Sequence, residues 1–205
     1  MTSSRPAAMD AWPPAWLAAR TGLLAFGLLA AALAPAASAD EPALPSLLKT
    51  LDFRGYTSRM APPQFSGSTL DARPLSITEY RGSVIILNFW ASWCLECRPE
   101  MPVLERLQRE FSSRGLIIIG VNTREKKEAA WRYAKELGLT FPLVLDRDGK
   151  INALYGVVGL PTTFVIGRDG RTIGFAVGPR EWESAPARAL IAALLAEPAL
   201  PPVVQ

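Results

Sequence analysis

The amino-acid sequence predicts an α/β domain in which helices flank a central mixed β-sheet. Apolar runs rich in β-branched residues alternate along the chain with amphipathic helical segments, and a pair of strands around a tight turn follows the last alternating unit. The order β-α-β-α-β and then β-β-α gives parallel strands joined by helices, together with one antiparallel hairpin. A chain of 205 residues has room for one such domain with a substantial core.

The first half of the pattern contains a hairpin, two strands and a helix. Apolar residues on either side of the turn at 71–74 predict a short N-terminal hairpin extension. The apolar run at 83–90 is typical of a central strand covered on both faces. A helix with one apolar face is predicted from about Cys94 to Phe111, and a second buried strand at 116–121.

The second half repeats the alternation and closes with the hairpin and a last amphipathic helix. The predicted ranges are a helix capped at Asn122 and ending near Gly138, a strand at 141–145, paired strands at 162–166 and 172–177, and a helix from about Ser184 to the residue before Pro198.

The N-terminal stretch has the layout of a secretory signal peptide. An uncharged run from Leu23 to Leu33 follows Arg20, and the small residues Ala37-Ser38-Ala39 form a cleavage site before Asp40. An uncleaved membrane anchor over residues 21–37 is the alternative, although this segment is at the short end for a helix that spans a membrane. Either interpretation predicts a periplasmic or other extracytoplasmic location.

Four segments follow from this organisation. Prolines are frequent between residues 40 and 63, which indicates a linker rather than a folded segment. We therefore predict a signal peptide or anchor at 1–39, a linker at 40–62, the folded domain at 63–196 and a flexible tail at 197–205.

The composition excludes several classes of function. The formal net charge is only +3, and no cluster of Lys and Arg is interleaved with aromatic residues, so nucleic-acid binding is not predicted. The sequence contains no histidine, which removes imidazole acid-base catalysis and the commonest metal ligand. Haem attachment through Cys-x-x-Cys-His is also excluded, because Arg98 occupies the histidine position.

The only two cysteines, Cys94 and Cys97, stand three residues apart at a strand-to-helix junction. Thiols at this spacing can close and reopen an internal disulfide, and an exported chain with no other cysteine leaves both for that chemistry. An inert local disulfide or half of a metal site is the alternative interpretation.

Several ordered motifs extend the pattern well beyond the cysteine pair. They are Asn88-Phe89-Trp90-Ala91-Ser92-Trp93-Cys94-x-x-Cys97, Arg98-Pro99-Glu100-Met101-Pro102, Gly120-Val121-Asn122, Phe141-Pro142 and Tyr155-Gly156-Val157-x-Gly159-x-Pro161-Thr162-Thr163-Phe164. In this set the sequence resembles the exported TlpA/ResA-like thiol:disulfide oxidoreductases of the thioredoxin superfamily, over roughly residues 63 to 180. The resemblance implies a thioredoxin-like fold, no cofactor, a disulfide-containing protein substrate such as apocytochrome c or a copper-site assembly factor, a membrane electron donor and a monomer.

Position and resemblance together assign roles around the cysteines. A helix N-terminus favours an anion, so Cys94 is predicted as the nucleophilic thiolate and Cys97, one turn inside, as the resolving thiol. Glu100 lies on the same side of the helix as Cys97, and the resemblance implies that it exchanges a proton with that thiol. An isolated glutamate is more often a solvated surface charge, which is the alternative here.

The resemblance also implies a substrate-binding surface. Pro161 matches a family proline preceded by a cis peptide bond, which would turn the main chain of Leu160 outward to pair with an extended substrate. Without the resemblance, an ordinary trans proline at a strand start is the expectation. Trp93 is predicted to form an apolar rim beside the site, whereas core packing explains Trp90 equally well.

Two departures from the family pattern bear on the chemistry. Asn88 replaces the acidic residue of thioredoxins proper and cannot accept a proton, and Glu96 stands where proline is frequent. A carboxylate at 96 opposes a thiolate on Cys94, which favours the disulfide and makes the pair a better reductant, although Arg98 acts in the opposite direction.

The sequence leaves rival functions open. A disulfide-forming oxidase would use the same cysteine pair in the opposite direction. A Cu(I)-binding metallochaperone module would use two thiolates as soft ligands, but the absence of histidine argues against it, and we predict no metal site. A thiol peroxidase is disfavoured because the cysteines lie in a Trp-Cys-x-x-Cys junction rather than an isolated peroxide-binding loop.

Overall fold

A six-stranded mixed sheet organises the chain in the computed structural model, which describes residues 43–199. The predicted signal peptide or anchor at 1–39 and most of the predicted tail lie outside the described residues. The described strands are β1 (Arg54–Met60), β2 (Ser66–Ser68), β3 (Pro74–Ser76), β4 (Val84–Trp90), β5 (Leu116–Thr123), β6 (Leu143–Asp146), β7 (Thr162–Ile166) and β8 (Thr172–Val177). The described helices are α1 (Leu44–Thr50), α2 (Cys97–Phe111), α3 (Lys127–Glu136), α4 (Lys150–Leu154) and α5 (Ala185–Ala196).

The strand order of the sheet is β1-β8-β7-β4-β5-β6. Strands β4, β5 and β6 are parallel, whereas β7 is antiparallel to β4 and β8, and β1 is antiparallel to β8. Strands β2 and β3 form a separate antiparallel hairpin. The predicted α/β class, the mixed sheet and the N-terminal hairpin are confirmed.

Strand β4 lies in the interior of the sheet between β7 and β5, and each of its residues is buried. Side chains alternate between the two faces of a strand. Ile86 and Trp90 therefore pack into the cluster covered by α1, α2, α3 and α5, while Leu87 and Phe89 pack into the cluster on the opposite face. The same alternation directs Asn88 towards α2, where it meets the catalytic candidate Glu100.

The predicted linker at 40–62 is wrong for its described part. Residues 44–60 form α1 and β1, Leu47 and Leu48 are buried, and β1 pairs with β8 at the edge of the sheet. Pro45 lies in the first turn of α1, where the missing N–H costs nothing because the first turn has no intrahelical acceptor. The prolines thus mark a helix start and a strand end rather than an unstructured connection.

Residue 197 does not belong to a flexible tail as predicted. Glu197 is the C-cap residue of α5, and its carboxylate pairs with Arg59 on β1. The end of the last helix is therefore tied to the N-terminal edge strand. Among residues 43–199, no helix has the length and apolar character that a membrane crossing requires.

Candidate active site

The two cysteines lie between the end of β4 and the start of α2, and they are joined by a disulfide with a Cα–Cα distance of 5.3 Å. Helix α2 begins at Cys97 rather than at Cys94 as predicted. Cys94 lies in the preceding turn, where its N–H donates to the carbonyl of Ala91 at 3.1 Å. The main-chain N–H of Cys97 donates to the Sγ of Cys94 at 3.1 Å, so the sulfur still lies at the positive end of the helix.

The two sulfurs differ in accessibility. Cys97 is 0% exposed, whereas Cys94 retains 7% of its surface. The neighbours of Cys94 are open to solvent, since Trp93 is 65% exposed and Leu95 is 86% exposed. The sulfur of Cys94 is thus the one that an external disulfide can reach. Trp90, in contrast, is buried and stacks on Tyr133.

Glu100 is buried one helical turn beyond Cys97. Its Oε1 accepts the indole N–H of Trp182 at 2.6 Å and the main-chain N–H of Arg180 at 3.2 Å, and its Oε2 accepts from Asn88 Nδ2 at 3.2 Å. Burial disfavours the carboxylate and raises the pKa of Glu100 to about 7, while the three donors and the charge of Arg180 act in the opposite direction. The solvated-glutamate alternative is therefore wrong for this side chain.

Asn88 links Glu100 to the neighbouring strand. Its Nδ2 also donates to the Oγ1 of Thr163 at 2.9 Å, and its Oδ1 is buried without a partner among the described residues. An amide here supplies a donor to the carboxyl of Glu100 where the acidic residue of thioredoxins would be a second carboxylate.

Leu160 and Pro161 lie at the same end of the sheet as the two cysteines. The peptide bond between them is cis, as predicted. Strand β7 pairs with β4 so that Thr162 faces Phe89, which places the two preceding residues beside the end of β4 that leads to the cysteines. Pro161 is buried and Leu160 is half-buried, and the main chain of Leu160 makes no hydrogen bond within residues 43–199.

Two groups of residues around the site were not predicted from the sequence. Arg180 and Trp182, which supply donors to Glu100, follow β8 and are far from the cysteines in sequence. The helix that was predicted to be capped at Asn122 begins instead at Lys127. Glu125 lies before that helix, and its carboxylate accepts the main-chain N–H of Ser92 at 2.7 Å and the hydroxyl of the same residue. The Asn122-x-x-Glu125 spacing was the available signal, because Asn122 Nδ2 also donates to this carboxylate.

The sequence matches the AhpC/TSA family over residues 59–173, more than half of the chain. The chain belongs to the AhpC/TSA family. Its relatives include the thiol-disulfide oxidoreductase ResA of Geobacillus thermodenitrificans, 41% identical over 109 residues that cover 53% of this chain and 63% of the relative. ResA of Bacillus thuringiensis strain Al Hakam is 32% identical over 121 residues, which cover 59% of this chain and 70% of the relative. These matches confirm the ResA-like resemblance within the thioredoxin superfamily.

Solved structures confirm the thioredoxin-like fold of this AhpC/TSA family member. A thiol:disulfide interchange protein of the thioredoxin family from Chlorobium tepidum has a TM-score of 0.61 and 32% identity, covering 68% of this chain and 99% of its own. A secreted Mycobacterium tuberculosis disulfide oxidoreductase has a TM-score of 0.55 and 26% identity, covering 63% and 96%. The match to the first of the ResA relatives spans 63% of that protein's length.

Proposed function

We propose that the chain is an exported thiol:disulfide oxidoreductase that reduces disulfides in other proteins by a dithiol-disulfide cycle of Cys94 and Cys97. One observation carries this proposal: a cysteine with 7% of its surface exposed and a cysteine with none meet at the N-terminus of α2, and a buried carboxyl lies one turn further along. The names of the ResA relatives and of the solved thioredoxin-like structures support it.

In the first step, the thiolate of Cys94 attacks one sulfur of the substrate disulfide. A mixed disulfide forms, and the other substrate sulfur leaves as a thiolate that takes up a proton from water. The N–H of Cys97, which points at the Sγ of Cys94, and the positive end of α2 both stabilise the attacking thiolate.

In the second step, Cys97 attacks the sulfur of Cys94 and releases the second substrate thiol. The bond between Cys94 and the substrate breaks, the internal disulfide forms, and two electrons have passed from the pair to the substrate. Cys97 must lose its proton while it is shielded from water. Glu100 on the same helix face is the acceptor, and a pKa of about 7 lets it take and return a proton near neutral pH.

The substrate docks on the apolar surface around Cys94. Trp93 and Leu95 are exposed there, and Leu160 offers a main chain with no hydrogen-bond partner in the described part of the protein. An extended substrate segment would pair with Leu160 while Pro161 holds that loop in place next to β4. This assigns Trp93, Leu160 and Pro161 to substrate binding.

The resemblance to exported ResA-like proteins supports a periplasmic or extracytoplasmic monomer that acts in cytochrome c maturation. Its substrate there is apocytochrome c, whose cysteines must be reduced before haem attachment, and a membrane thiol donor returns Cys94 and Cys97 to the dithiol state. The redox state in the cell gives the direction of transfer. Mostly free thiols are expected for a reductase, and mostly disulfide would indicate an oxidase.

Trapping of mixed disulfides tests the proposal and identifies the substrate. In a Cys97→Ser variant the second step is blocked, so we expect a covalent complex with apocytochrome c in cell extracts that dithiothreitol releases. The matched Cys94→Ser variant keeps one thiol but should trap nothing, because Cys97 is 0% exposed. Equal trapping by both variants, or by neither, would contradict the assigned roles.

A further inference from the structure

Trp182 makes a contact with Glu100 that the redox cycle described above leaves without a role. The indole is 1% exposed, and its Nε1–H donates to Glu100 Oε1 at 2.6 Å. The same oxygen accepts the main-chain N–H of Arg180 at 3.2 Å. Two donors from one short segment after β8 therefore converge on a single carboxyl oxygen.

That segment is itself fastened to the turn after α1. The guanidinium of Arg180 donates to the carbonyl of Asp52 at 2.9 Å and to its carboxylate at 3.2 Å. The ring of Phe53 meets the ring of Trp182 edge to face, with centroids 5.8 Å apart. The side chain of Asp52 is 96% exposed, so its charge adds little, whereas the carbonyl bond and the buried aromatic pair fix the segment.

The two oxygens of Glu100 are consequently not equivalent. Oε1 already accepts two hydrogen bonds, whereas Oε2 accepts one, from Asn88. A proton on Oε1 would face two donors, whereas a proton on Oε2 would face only Asn88, so protonation of Oε2 is favoured. The hydrogen bonds thus hold the carboxyl of Glu100 in one orientation and favour Oε2 as the oxygen that carries the proton.

We propose that Trp182 is a positioning residue for Glu100, and that the turn at Asp52 and Phe53 holds the indole against Oε1 so that proton exchange takes place at Oε2. The functional consequence rests on the proposed role of Glu100 as the proton acceptor of Cys97. The hydrogen bonds that orient the carboxyl do not depend on that role.

The surroundings of Glu100 allow the contribution of Trp182 to be isolated. Asn88 on β4 and Trp182 are uncharged, Cys97 lies on the same helix, and Arg180 is the charged residue whose electrostatic effect reaches the carboxyl. A Trp182→Phe variant keeps the aromatic contact with Phe53 and removes the N–H. Because that donor stabilises the carboxylate, its loss raises the pKa of Glu100.

The test uses the oxidised full chain, in which neither cysteine titrates. The carboxyl carbon of Glu100 is followed by NMR as the pH is varied. In wild type we expect a midpoint near the pKa of about 7, and in Trp182→Phe a midpoint higher by about one pH unit. Trp131→Phe, on the exposed side of α3, is the matched control and should leave the midpoint unchanged. An unchanged midpoint in Trp182→Phe would overturn the proposal.

A second measurement needs no variant. The indole N–H resonance of Trp182, assigned through its contact with Phe53, should move with the same midpoint as Glu100 in wild type, and a resonance that stays constant through that range would overturn the positioning role. Failure of the proposed redox function would give a different result. Glu100 would then titrate as stated, but the rate of thiol-disulfide exchange by Cys97 would not change over the pH range of that titration.

Discussion

The carboxyl of Glu100 lies in the core of the protein, although it ionises in the pH range where the protein is proposed to act. Desolvation is the main reason for its raised pKa, and three donors limit the effect without cancelling it. Burial also distinguishes the two cysteines, since Cys94 keeps 7% of its surface exposed and Cys97 none. Because both residues are cysteines, their difference in exposure is what distinguishes the proposed nucleophile, Cys94, from the proposed resolving thiol, Cys97.

We predict that Glu100 makes the stability of the oxidised protein depend on pH. Between its ordinary pKa of 4.5 and its folded pKa of about 7, the folded chain holds a proton that the unfolded chain has lost. The free energy of unfolding should therefore fall as the pH rises through this window, by about 3 kcal/mol, and level off above it. Urea unfolding of wild type and Glu100→Gln checks this, since the glutamine variant should lack that component. Parallel pH profiles for the two proteins would refute it.

Glu96 should make the cysteine pair more reducing. It is the exposed N-cap residue of α2, its side chain makes no capping hydrogen bond, and Arg98, which would offset its charge, is paired with Glu136. A carboxylate here destabilises a thiolate on Cys94 relative to the disulfide. We expect Glu96→Gln to raise the reduction potential by on the order of 10 mV, measured against glutathione, with Glu128→Gln as control. An unchanged or lower potential in the variant would show that the charge has no such effect.

At the scale of elements, periodicity predicted the strands and helices that surround the cysteines. Strand β4 is apolar except for Asn88, and helix α2 has one apolar face, so both elements could be predicted from the sequence. Only the start of α2 differs, since it lies at Cys97 rather than Cys94. Strand β1 has no apolar alternation because it is an edge strand, and it was missed. The contact between Trp182 and Glu100 joins residues 82 positions apart, so no local sequence pattern could predict it.

The loop before the cysteines is held by Glu125, and loss of that carboxylate should loosen it. Glu125 accepts two hydrogen bonds from Ser92, which lies two residues before Cys94. Bonds to a charged acceptor each contribute about 1.5–3 kcal/mol, so the amide of Ser92 should exchange with solvent about tenfold faster or more in Glu125→Ala. Glu128→Ala, close by in sequence but exposed, is the control. Equal protection of Ser92 in all three proteins would mean that Glu125 does not hold the loop.

At the scale of the whole molecule, residues 44–60 belong to the folded unit. Helix α1 packs against α5, and the turn after it contacts the residues that surround Glu100. We expect Leu48→Ala to lower the free energy of unfolding by about 2–5 kcal/mol, because it removes a buried side chain, whereas the exposed Lys49→Ala should have little effect. Chemical denaturation measures both. A loss in Leu48→Ala no larger than in Lys49→Ala would restore the linker interpretation.

Equilibration of the folded full chain with dithiothreitol over a range of redox potentials tests the Cys94-Cys97 cycle most directly. The oxidised and reduced fractions are quantified by alkylation and mass spectrometry. We predict one reversible two-electron transition, in which a tenfold change in the ratio of reduced to oxidised protein corresponds to a change of about 30 mV in the applied potential. We also predict that the reduced form reduces an added protein disulfide. A pair that stays oxidised until the chain is unfolded, or that fails to pass its electrons to any protein disulfide, would contradict the proposed function.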